Sequence, residues 1–193
     1  VSLIDPQFWA RQGLRMVAMG WLLAGRPQRA QAVFTQMLER WPGDAYALAS
    51  RAHVAAQAGR LDDAIADARS LVELHPQRSA GDWFNLAFLL EQQDRLDEAE
   101  QAFRRALELD PELDRAWYGL GVALIRQNRF DEAVAALKRN TELQPMSPYG
   151  WYQLARVHVD RHDPDEARRI IRHLKGFEPK VAAQLERETG LAT

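Results

Sequence analysis

His158 and His162 stand four residues apart, with Asp160 and Asp163 beside them. That spacing puts two imidazoles on one helical face, where they could share a metal ion. Three acidic pairs, Asp62-Asp63, Asp97-Glu98 and Asp131-Glu132, have the composition of carboxylates that exchange protons in catalysis. These are the positions of the 193-residue chain at which chemistry would be sought first. Their placement argues against it, because the acidic pairs recur at a fixed interval along the chain.

Prolines mark that interval. Pro42, Pro76, Pro111, Pro145 and Pro179 are 34, 35, 34 and 34 residues apart. With each proline counted as place 32 of a copy, place 20 is always alanine: Ala30, Ala64, Ala99, Ala133 and Ala167. Place 8 is always small: Ala18, Ala52, Ala87, Gly121 and Ala155. Three columns held in register over most of a chain define a repeat protein. Within a copy the apolar residues recur at three and four, the period of a helical face. In the fourth copy this predicts a helix from Asp114 to about Gln127, a turn at Asn128-Arg129, and a second helix from Phe130 to Leu143. Pro145 then ends it, since proline lacks an amide donor and turns the preceding residue away from helix. The small columns fall where paired helices cross, and larger side chains there would force the axes apart.

In this frame the acidic pairs occupy the first turn of each second helix, where negative charge complements the helix dipole. His158 falls at a packing place and His162 in the turn. No glycine-rich phosphate loop or nucleophile elbow is present. The sequence therefore predicts no catalytic residue, no metal site and no cofactor.

The runs W-Y-G-L-G (117–121), W-F-N-L-A (83–87) and W-Y-Q-L-A (151–155) resemble the opening of the tetratricopeptide repeat. The runs at 97–111 and 131–137 resemble its second helix. The resemblance covers residues 11–181 in five repeats: 11–44, 45–78, 80–113, 114–147 and 148–181. It implies an all-α, right-handed α-solenoid, preceded by an N-terminal segment or helix extension (1–10) and followed by a capping helix and tail (182–193). The second repeat departs most from the pattern, with Arg51 and Ala68 at places that are usually bulky and apolar. It is expected to be the softest part of a single cooperative array.

Charge is uneven. The net value is −2, which speaks against a general nucleic-acid binder. Residues 1–60 carry net +4, 61–113 net −8 and 114–193 net +2. This is read as a solvated surface, with steering of a basic partner as the sharper alternative. Cysteine is absent, so disulfides and thiolate sites are excluded and compartment is left open. Arginine outnumbers lysine 22 to 3, which suggests a GC-rich bacterial genome. No signal peptide is evident, and Met16–Ala24 is too short to span a bilayer. A cytoplasmic protein is expected, or a periplasmic or membrane-tethered one if a signal or anchor lies upstream. Any membrane contact would then run through a partner or such an anchor.

At the front, Asp5 is read as a cap and Pro6 as a first-turn residue, the competing reading being the end of an earlier repeat. Phe8, Trp9, Met16, Met19, Leu22 and Leu23 exceed what one packing face requires, and the segment before them is expected to cover some of them. The remainder are predicted as an N-terminal contact with another protein. At the back, a polar-faced helix from Lys180 to about Glu188 is expected, with Val181, Ala182 and Leu185 on its inner side.

The family resemblance implies that first helices line an inner groove. Its predicted residues are Arg15, Met19, Tyr46, Ala49, His53, Phe84, Asn85, Phe88, Arg115, Tyr118, Val122, Tyr149, Tyr152 and Arg156. Aromatics with scattered arginines have the composition of binding hot spots. A variant of the family that grips C-terminal carboxylates needs a particular lysine, and the matching frame here reads Ala49, His53, Asn85, Arg115 and Gly119, so that use is not expected. The function expected is a non-enzymatic scaffold or adaptor for a protein or peptide partner. The alternatives are the recognition module of a larger enzyme such as a transferase, and a secretion or envelope-assembly factor docking through its N-terminal helix.

Overall fold

The computed structural model describes residues 6–193, and among them the chain forms eleven helices and no strand. They are α1 (Pro6–Leu23), α2 (Pro27–Arg40), α3 (Ala45–Gln57), α4 (Leu61–Leu74), α5 (Ala80–Gln92), α6 (Leu96–Leu109), α7 (Asp114–Arg126), α8 (Phe130–Leu143), α9 (Pro148–Asp160), α10 (Pro164–Lys175) and α11 (Pro179–Thr189). Within the two units described below, α1 packs with α2, α3 with α4, α7 with α8 and α9 with α10, and α11 packs on α9 and α10.

Each pair turns on one left-handed residue at place 15: Gly25, Gly59, Asp94, Asn128 and His162, with φ between 58° and 74°. Glycine adopts this conformation freely, and asparagine and aspartate tolerate it through local hydrogen bonding. His162 is therefore a turn residue, as its place predicts.

The small columns do what their places require. Ala18, Ala30, Ala64, Ala87, Ala99, Ala133, Ala155 and Ala167 are fully buried. A Cβ built on Gly121 would lie 2.7 Å from Leu137 Cγ, closer than a carbon contact allows. A second column joins successive pairs. The indole Nε1 of Trp83, Trp117 and Trp151 donates to the carbonyl of Pro76, Pro111 and Pro145, at 2.9, 2.8 and 2.9 Å. The proline that ends one pair thus offers a carbonyl, free of helical bonding, to the tryptophan that opens the next.

The chain divides into two compact units, one ending at Leu89 and the other spanning Leu90–Thr193. In the first, Phe34, Met37, Leu48, Val54 and Leu71 form the core with Ala18, Ala30 and Ala47. In the second, Leu137, Leu154, Val157, Ile171, Leu174, Ala182 and Leu185 do so. The expected inward face of α11 is thereby filled by Ala182 and Leu185, with Val181 packed at its edge.

The stretch from Pro6 to Ala10 continues α1 as one helix, one of the two forms expected for residues 1–10, and Phe8 and Trp9 are exposed; Asp5, read as the cap, lies outside the described residues, as does most of the segment expected to cover some of the apolar residues. Arg51 is not an unfilled packing place. Its guanidinium makes two 2.7 Å hydrogen bonds to the carboxylate of Asp67, and Nη1 donates to Thr35 Oγ1 at 3.3 Å. A charged pair occupies the volume that leucine takes at the same place in α7 and α9.

Candidate functional site

The acidic pairs lie in the first turns of α4, α6 and α8. The arginine just before each helix folds back onto the acid three residues on: Arg60 to Asp63 at 2.9 Å, Arg95 to Glu98 at 2.7 Å and Arg129 to Glu132 at 2.6 Å. Arg129 also pairs with Glu100 of the preceding repeat. Burial would push the Glu100 carboxyl up, but hydrogen bonds from Arg129 and Arg104 outweigh it and hold it below the ordinary range. Glu132 is likewise pushed down, chiefly by Arg129. Carboxyls kept ionised by guanidinium partners are poor proton donors, and these serve as helix-end ties.

His158 is buried, with Nδ1 3.1 Å from Asp163 Oδ2. Asp163 also accepts from the Glu166 amide to cap α10, and that bond, followed by His158, lowers its carboxyl from the ordinary value. His158 is buried and His162 exposed at the turn. Among the described residues no three His, Asp or Glu side chains converge as a metal site.

The predicted groove residues divide by unit. In the first, Arg15 and Tyr46 are brought together: the guanidinium sits 4.8 Å above the ring, and the ring meets Phe34 edge-on at 6.0 Å. Arg15 also donates to Asp44 at 3.1 Å, while Asp44 accepts from the Ala47 amide to cap α3. These two side chains are therefore engaged in packing α1 on α3. Ala49 packs against the same core. Phe84 and Phe88 stack one turn apart at 6.3 Å on α5, with Phe88 exposed beside Asn85. His53 and Met19 are exposed on α3 and α1.

In the second unit, Tyr118 and Tyr152 are half-buried against the core, and Val122 is half-buried on α7 near exposed Arg115. The Tyr152 hydroxyl donates to Glu188 Oε2 at 2.6 Å, tying α9 to α11. That hydroxyl, with the Gln184 amide, lowers the Glu188 carboxyl from its ordinary value. Arg156 lies 5.9 Å over the Tyr152 ring. Tyr149, at the opening of α9, is 71% exposed. Arg126, at place 13 of the fourth repeat and so on the inner face that the family resemblance implies, donates to the Glu91 carboxylate at 2.7 Å and to Asp94 at 2.6 Å.

Family models described as tetratricopeptide repeat match residues 23–79, 90–151 and 148–173. The chain belongs to the tetratricopeptide repeat family. Among solved structures, MamA superposes with a TM-score of 0.82 at 18% identity, covering 95% of this chain and 97% of that one. YrrB, described as a TPR protein with an unusual peptide-binding site, gives 0.79 at 17% identity and 88% of each chain. Pseudomonas aeruginosa pilF gives 0.70 at 22% identity, over 97% of this chain and 96% of that one. At these identities the likeness establishes the all-α repeat fold. Comparison with curated proteins gives no match. No helix among the described residues is long and apolar enough to cross a membrane.

Proposed function

We propose that this protein is a non-enzymatic interaction scaffold or adaptor that binds a peptide segment of another protein along the first helices of its repeats. The carrying observation is Tyr149, a large ring left 71% exposed on α9, one turn from Tyr152 and two from Arg156. An exposed aromatic beside a ring-stacked guanidinium offers an apolar anchor and a carboxylate or carbonyl partner in one place. A protein of the same fold, YrrB, is described as having a peptide-binding site, which supports this use of the fold. In the first unit, Phe84, Phe88 and His53 offer a comparable aromatic face, whereas Arg15 and Tyr46 serve packing.

The test is selection of peptides from a phage-displayed library on the purified chain, followed by calorimetry. Tyr149→Ala is expected to weaken the selected peptide by roughly 1–3 kcal/mol. Arg156→Glu should weaken it more at low salt than at high. Peptides that bind both variants as well as the parent chain would overturn the assignment to α9.

A further inference from the structure

Within the unit Leu90–Thr193, α6 and α8 flank α7, and α8 and α10 flank α9. On α9, Trp151 and Leu154 face the groove between the flanking helices, at the places that Trp117 and Leu120 hold on α7. The groove between α6 and α8 is closed by charge. Arg104 of α6 reaches Glu132 of α8 at 3.1 Å, Arg129 pairs with Glu100, and Leu107 is buried.

The groove between α8 and α10 is open, and of the closing residues only the glutamate is kept. Asp163 stands at the place of Arg129 and is turned to His158. Val134 replaces Glu100, Thr141 replaces Leu107 and Lys138 replaces Arg104. Glu166, the counterpart of Glu132, pairs with Arg169 of its own helix at 3.4 Å. What remains is a cleft of about 350 Å³ lined by Trp151, Leu154 and Ile170, with Lys138, Glu166 and Arg169 at its rim. The His173 ring lies 4.5 Å from that of Trp151 and lines the same cleft. Glu142, also at the rim, is held by Arg139 at 2.9 Å. Once these pairs are made, one charge is left over. It is the Lys138 ammonium, exposed and without an ion-pair partner among the described residues.

We propose that this cleft docks an acidic segment of a partner protein, on the face of α9 opposite Tyr149 and Arg156. An aromatic side chain of the segment packs on Trp151 and Leu154, and a neighbouring carboxylate pairs with Lys138. The volume stands at the lower end for ligand sites and suits one large side chain. The rings of Trp151 and His173 favour an aromatic occupant, which can meet them edge to face. The incoming carboxylate takes the part that Glu132 plays for Arg104 one repeat earlier. A basic segment would set like charge against Lys138, while Glu142 and Glu166 are already engaged.

The probe is a short peptide with blocked ends, in which phenylalanine lies between two aspartates and a glutamate stands at each end. It is titrated into the full chain labelled with nitrogen-15, and the indole N–H signal of Trp151 is followed by NMR. Trp151→Phe identifies that signal by removing it. The signal should shift and saturate. Replacing the peptide's phenylalanine by alanine should weaken binding roughly tenfold. Lys138→Glu in the protein should weaken it by about as much. Lys180→Glu makes the same charge change on α11 and should leave the affinity nearly unchanged. Both positions are exposed, so the fold tolerates either exchange. An unmoved Trp151 indole, shifts confined to Tyr149 and Arg156, full affinity in Lys138→Glu, or equal binding of a peptide with lysines for its acids would each overturn the proposal.

Discussion

At the scale of single residues, Arg51 and Asp67 show how one repeat satisfies the family pattern by other means. The equivalent places in α7 and α8 hold Leu120 and Ala136, both buried. In α3 and α4 the pair is ionic, Asp67 is 7% exposed, and the hydrogen bonds that Arg51 donates to Asp67 hold the guanidinium more firmly protonated than usual despite its burial. Removing one partner of such a pair leaves the other charged and desolvated. Asp67→Asn is expected to destabilise the chain by about 1.5–3 kcal/mol, read from the urea midpoint. The double variant Arg51→Leu/Asp67→Ala, which restores the combination found in α7 and α8, should recover most of that loss. A double variant as unstable as the single one would show that the pair holds the α3–α4 crossing open by more than its charge.

At the scale of elements, the tryptophan-to-proline hydrogen bond ties the end of one pair to the start of the next. Trp117→Phe keeps the ring and removes the donor, and is expected to cost about 0.5–1.5 kcal/mol in thermal unfolding. The first two pairs have Leu14 and Leu48 at this place and no such tie. Much of this level was legible beforehand, because it rests on local rules. The start of α8 at Phe130 and its end at Leu143 follow from the turn, the proline and the apolar period. The roles of Asp97, Glu98, Asp131 and Glu132 follow from their place in the repeat. Side-chain partners were less legible. Tyr46 looked like a groove residue, yet it lies under Arg15 and against Phe34, a choice made by packing that no single helix encodes. Arg126 finds Glu91 and Asp94 across a full repeat, so its partners appear only once helices are stacked. The continuation of α1 through Ala10 depends on the absence of a turn residue there, a weaker signal than a turn's presence.

At the scale of the whole molecule, five carboxyls of the unit Leu90–Thr193 are held below their ordinary values. Glu186 is pushed down to about 2 by hydrogen bonds from Lys175 and from the Thr193 hydroxyl and amide, and Glu100, Glu132, Asp163 and Glu188 are lowered as well. These groups bind protons less readily folded than unfolded, so protonation favours the unfolded chain. Their stabilisation is complete above the ordinary glutamate value of 4.5 and, for Glu186, is lost as pH falls toward about 2. Hydrogen exchange between these pH values should show protection falling in the second unit, and Glu186→Gln should flatten part of that dependence. A pH-independent second unit would mean that these ties are not formed in solution. The reach of the ties has a further consequence, for synthesis. Tyr152 to Glu188 spans 36 residues, Arg126 to Glu91 35 and Arg129 to Glu100 29, so each closes within about one repeat of chain. Contacts this local favour fast folding. A helix pair emerging from the ribosome needs only the next pair, not the chain's end, to complete its surroundings. Apolar surface on a growing chain is then exposed for little longer than one repeat takes to be translated.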